Sequence, residues 1–159
     1  MTLLRTASIA EAILRASHSD SRLVLIVGED PVALDRAGIA TAADLGWRTI
    51  DLNVELAERL IGLSPSERRD EAWDALDEVV SRPEPGVVIV GTDILFEPAL
   101  GYRPYEALRR LGRRGPMVAT WLGVVEDQDV VRSSPGHPEY CRVRLDVPFL
   151  QADAKGGVS

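Results

Sequence analysis

The residues best placed for chemistry lie where an apolar run stops. Arg22-LVLIV-Gly28 is followed by Glu29-Asp30-Pro31 and then by VALDRAGIATAA, a stretch suited to a helix. Strand, glycine, short loop and helix is the layout with which a chain holds phosphate. Backbone amides cradle the oxygens, a lysine neutralises them and a hydroxyl holds magnesium, in the pattern G-x-x-x-x-G-K-[ST]. Counted from Gly28, the second glycine is Ala33, the lysine is Leu34 and the hydroxyl is Asp35. All three chemical requirements fail. Glu29 and Asp30 add two negative charges at a helix N-terminus whose partial positive charge would otherwise attract an anion. At ~4 Å and an effective dielectric near 20, each carboxylate repels a unit phosphate charge by about 4 kcal/mol. Asp30 also suits the N-cap, which uses up the free amides, and Pro31 suits the first helical turn.

Other candidates lie further along. Asp93 follows the apolar run VVIV and Gly91-Thr92, where it either holds a cation through water or caps the ILFEP turn. Thr120, near the end of a later apolar run, is placed either for a polar sensor or for a structural hydroxyl. Arg109, Arg110, Arg113 and Arg114 pair at i, i+4 along one helix end. They read as a patch for nucleic acid or an acidic partner, as a solvated helix end favoured by the dipole, or as the source of an arginine finger offered in trans. His137, Glu139 and Tyr140 sit in Pro135-GHPEY, where turn geometry or partner contact is the expected role. Cys141 is expected to be a buried small apolar residue. No residue is assigned to catalysis, and none to a metal.

The elements that must position these residues can be read from the chain of 159 residues, a length suited to one domain. Hydrophobic residues at 45% and charged residues at 27% exclude a disordered chain. No apolar run reaches the ~20 residues of a membrane helix, and MTLLRTASIAEAILRAS does not read as a signal peptide, so a cytoplasmic protein with no membrane contact is expected. One cysteine rules out an internal disulfide and a cysteine-built zinc site. Lys155 is the lone lysine, in the closing segment QADAKGGVS, so chemistry needing an ordered lysine is disfavoured. A net charge of −7 weighs against a generic DNA coat.

Residues 8–17 read as a leading helix. Strands are expected at 23–27, 47–53, 87–91 and 116–123, with an alternating strand at 140–147. Between them lie helices opened by Asp30-Pro31, by Asn53, by the capping box Ser64-Pro65-Ser66-Glu67 and by Pro104. Gly46 and Gly115 end two of them, and Arg82-Pro83-Glu84-Pro85-Gly86 breaks the chain. Trp47, Trp73 and Trp121 suit core or interface positions. Alternation of this kind implies an α/β domain of three layers, a mostly parallel sheet with helices on both faces. The expected domain spans 1–148, with 149–159 a flexible tail. A ligand would bind outside the carboxyl ends of the strands, at Gly28–Pro31, Gly91–Asp93 and Thr120–Gly123.

The opening strand–loop–helix, IDLNVELAERLIGLSPSERRDEAWDALDEVV, VVIVGTDILFEPAL and SSPGHPEY together resemble the small P-loop proteins called BrxF, of type three BREX bacteriophage-exclusion systems. The resemblance covers roughly residues 20 to 145. It implies a P-loop NTPase-like fold and an antiviral role beside larger BREX subunits. Typical members keep the lysine and hydroxyl that Leu34 and Asp35 replace here. The expectation is therefore a pseudo-ATPase with no cofactor, ATP and magnesium included, conferring phage resistance through protein–protein interaction with other BREX-type subunits or as a homo-oligomer. The alternatives are a partner-activated ATPase, holding nucleotide on backbone amides and an arginine such as Arg36, and a DNA-contacting module built on the arginine cluster.

Overall fold

Apolar runs with no polar interruption make strands covered on both faces. The computed structural model describes residues 6–81 and 85–159; residues 1–5 of the leading segment and 82–84 of the expected break lie outside them. In chain order the elements are α1 (Ile9–Ala16), β1 (Leu23–Gly28), α2 (Pro31–Leu45), β2 (Arg48–Asp51), α3 (Leu52–Leu60), α4 (Pro65–Val79), β3 (Val87–Val90), α5 (Pro104–Gly112), β4 (Met117–Leu122), β5 (Val124–Glu126), β6 (Asp129–Arg132), β7 (Cys141–Arg144) and β8 (Phe149–Gln151). Two 3-10 turns, Thr92–Phe96 and Pro98–Leu100, separate β3 from α5.

Five strands form one parallel sheet in the order β2-β3-β4-β1-β8. Successive side chains point to opposite faces, which splits the core in two. Leu23, Leu25, Val27, Ile89, Met117 and Trp121 pack with α3, α4 and α5. Val24, Ile26, Val88, Val118 and Leu150 pack with α1 and α2 on the other face. The molecule is thus α/β with helices on both sides of the sheet. Gly38 lets α2 approach closely, since a Cβ there would stand 2.5 Å from Val90 Cγ1.

Three local helix signals act as expected, whereas α5 stops at Gly112 with Arg113 as its C-cap, short of the expected Gly115. The Asp30 carboxylate caps α2, Gly46 ends it at φ 68°, and Ser64 and Glu67 form a reciprocal capping box on α4. Asn53 does not cap α3, however. Asp51 does so, accepting from the Val54 amide, and the helix starts a residue earlier than Asn53.

One further expectation is corrected. Residues 149–159 are not a flexible tail. Phe149–Gln151 pairs with β1 as the fifth strand, with Phe149 and Leu150 buried. After it the chain turns back, Gln151 and Ser159 exchanging backbone hydrogen bonds. Burying such side chains contributes roughly 1.5–3 kcal/mol each, which a solvated tail would forgo. The alternating strand expected at 140–147 lies outside the main sheet. Its centre is β7, which with β5 and β6 makes a separate antiparallel sheet inserted between β4 and β8.

Candidate functional site

At the carboxyl end of the main sheet the chain leaves β1 toward α2 on one face and β3 toward α5 on the other. Oppositely directed exits open a crevice between strand ends. Gly28 to Pro31 forms one wall of it.

That wall is closed. Asp30 Oδ1 accepts from the amides of Val32 at 2.9 Å and Ala33 at 3.0 Å. Leu34 is 4% exposed and folds back over the turn, its Cδ1 3.3 Å from where a Cβ on Gly28 would stand. The chamber left between α2 and the ends of β3 and β4 has a volume of about 40 Å³. A water molecule's share of liquid is ~30 Å³ and ligand pockets run ~300–1,000 Å³, so this space is far smaller than an ordinary ligand pocket. Asp35, Gly91, Asp93 and Thr120 line it.

Asp35 titrates above the ordinary carboxylate value. Partial burial raises it first, then repulsion from Asp51 and from Asp93, against a stabilising Gly91 amide. Gly91 stands at φ 64°, and a Cβ there would meet Asp51 Oδ1 at 2.4 Å, so only glycine suits this bend. Thr120 is buried, and its carbonyl accepts from the Thr92 hydroxyl at 2.6 Å, tying the ends of β3 and β4 together.

Asp93 does not cap the ILFEP turn. The first 3-10 turn has no side-chain cap, and the Ile94 amide donates instead to Asn53 Oδ1 at 2.9 Å. Asp93 meets Arg132, which the sequence reading passed over. Arg132 is 6% exposed, donates to Asp93 at 3.0 Å and to Glu139 at 2.7 Å, and lies 4.0 Å over the Phe96 ring. Its Nε is buried with no hydrogen-bond partner. Asp129-Val-Val-Arg132 carries no alternating pattern that would have marked it; pairing with β7 sets Arg132 opposite Cys141. Cys141 is half-buried; burial pushes its thiol up, against the pull of Arg132.

In the GHPEY loop, exposed His137 accepts the Glu139 amide on Nδ1 at 3.0 Å and so shapes a turn. Tyr140 is exposed. Three of the four clustered arginines are ion-paired. Arg110 and Arg114 both pair with Asp77 at 2.8 Å, and Arg109 pairs with Asp146 at 3.3 Å. Arg110 also lies 5.0 Å over Trp73. Arg113, the C-cap of α5, has no ion-pair partner among the described residues. Arg36 is exposed, its Cβ against Gly156 of the closing turn.

Beside the closed crevice lies a much larger cleft of about 870 Å³, between α3, the 3-10 turns and the 137–139 loop. No group of three or more His, Cys, Asp or Glu among the described residues is arranged to hold a metal. Among those residues, no helix is long and apolar enough to cross a membrane. No family model matches the chain, and neither a curated protein nor a solved structure does so.

Proposed function

We propose that this chain is a P-loop-like domain without nucleotide chemistry, and that it serves as a contact-making subunit of a BREX-like bacterial anti-phage assembly. The sheet order favours the first half of this reading. β1 lies between β4 and β8, so its strand–turn–helix stands at the crevice, where phosphate-binding loops sit. The observation that carries the loss of chemistry is the 40 Å³ chamber, with Leu34 across the turn and Asp30 on the amides. With the phosphate cradle filled, the surfaces around it are what remain for binding. The BREX setting rests on the resemblance of the LNVELAERL, ILFEP and GHPEY segments.

The test is co-purification. A tagged chain is expressed in a host carrying a BREX locus, and phage plating is scored with and without it. The expected result is stoichiometric recovery of another BREX subunit that withstands nuclease treatment and nucleotide depletion, with phage restriction lost on deletion. A chain that elutes alone, from a host whose restriction is indifferent to it, overturns the proposal.

A further inference from the structure

The 870 Å³ cleft has an apolar floor and an acidic rim. Leu60, Phe96 and Leu100 are buried at its base. Along its α3 side lie Asn53 and Ala57, with Ile61 just past the helix end. Ile61 is 77% exposed and continues the apolar floor out to the lip of the cleft.

The rim carries Asp93, Glu97 and Glu139, with Arg68 and His137 its basic residues among those described. Arg132 holds Asp93 and Glu139 from beneath, yet their side chains remain 51% and 40% exposed. Two carboxylates sharing one guanidinium keep a net negative charge facing the cleft. Asp35 and Asp51 add to the same potential from behind. The charge therefore repels phosphate and favours a cation.

The cleft's backbone selects the shape of the occupant. Its walls are α3, the start of α4, two 3-10 turns and a tight loop. The main sheet's edge strands, β2 and β8, are not among them, so an extended peptide finds no strand to pair with. A helix brings its own satisfied backbone and lays an apolar stripe in such a groove. At the basic end of the chain's own α5, Arg109, Arg110 and the following Arg114 are engaged with Asp77 and Asp146, which disfavours a second copy as the occupant.

The geometry points to a docking site for a basic amphipathic helix of a partner protein. Its apolar face rests on Leu60, Phe96 and Leu100 beside Ile61, and its lysines or arginines meet Asp93, Glu97 and Glu139. This inference rests on the contact-making role proposed above and names the surface that performs it.

The test titrates the isotope-labelled full chain with a synthetic helix of leucine and lysine, leucines on one face, and with its leucine–glutamate counterpart. The expected result is saturable amide shifts in α3 and residues 93–100 with the lysine peptide alone, weakening with added salt. Ile61→Asp and Glu97→Lys, both at exposed positions, are each expected to weaken binding by about tenfold. Equal binding of both peptides, shifts confined to another surface, or a wild-type dimer that Ile61→Asp dissociates overturns the assignment. Shifts at Gly28–Ala33 with magnesium and ATP would instead overturn the closed-site reading, so the two failures are distinguishable.

Discussion

Asp30 occupies with one carboxylate the two amides that a phosphate would need. A capping side chain contributes about 1 kcal/mol, so Asp30→Ala is expected to lower unfolding stability by that amount in urea titrations. It is not expected to create nucleotide binding, because Leu34 still fills the turn and Asp35 still faces the chamber. Asp35 gives a pH prediction. Its folded value is raised, so the folded state holds the proton more tightly than the unfolded chain. That contribution is present in full below the ordinary carboxylate value of 3.8 and is lost as pH rises through the raised one. Asp35→Asn should therefore melt at a higher temperature than wild type at neutral pH, with the difference vanishing in strong acid. A constant difference across both conditions would count against like-charge repulsion at this position. Capping and phosphate chemistry depend on neighbours in sequence, which is why Asp30, Leu34 and Asp35 were legible there. Asp93 was not, because its partner Arg132 lies 39 positions away and only the fold brings them together.

Arg132 joins the inserted antiparallel sheet to the end of β3 and holds the 133–140 loop through Glu139. Removing one member of a buried ion pair costs roughly 3–5 kcal/mol, less where the partners can rehydrate as Asp93 and Glu139 can. Arg132→Met should thus cost about 2 kcal/mol and, in hydrogen exchange, deprotect residues 129–144 before the main sheet. Uniform deprotection would contradict a local fastening. β8 permits a sharper comparison. A chain cut after residue 148 loses the partner of β1 and exposes its edge, and is expected to aggregate. One cut after Gln151 keeps every β1–β8 pair and should stay folded, as thermal melts of the two would show. The long apolar strands and the capped helices were readable because each spans several residues of pattern. β5, β6 and β8 have three or four residues apiece, too few for a period to register, and β8 follows Pro148, which reads as a break. Their existence depends on edges offered by distant strands.

Across the molecule, a net charge of −7 is distributed so that the end of the sheet suited to ligands is lined by carboxylates. Arg109, Arg110 and Arg114 pair with acids on α4 and near β8. Duplex DNA at low salt is accordingly expected to cause no mobility shift, and replacing Arg113 by alanine should change nothing; salt-sensitive binding that falls with that substitution would restore the nucleic-acid reading. Sheet order, closed turn and acidic rim together describe a scaffold whose crevice has been filled from within while the neighbouring cleft stayed open. The most direct measurement is a titration of the isotope-labelled chain with magnesium and ATP, followed at the amides of Gly28–Ala33 and Asp93. No saturable shift up to millimolar nucleotide is expected; micromolar binding that moves those amides would contradict it.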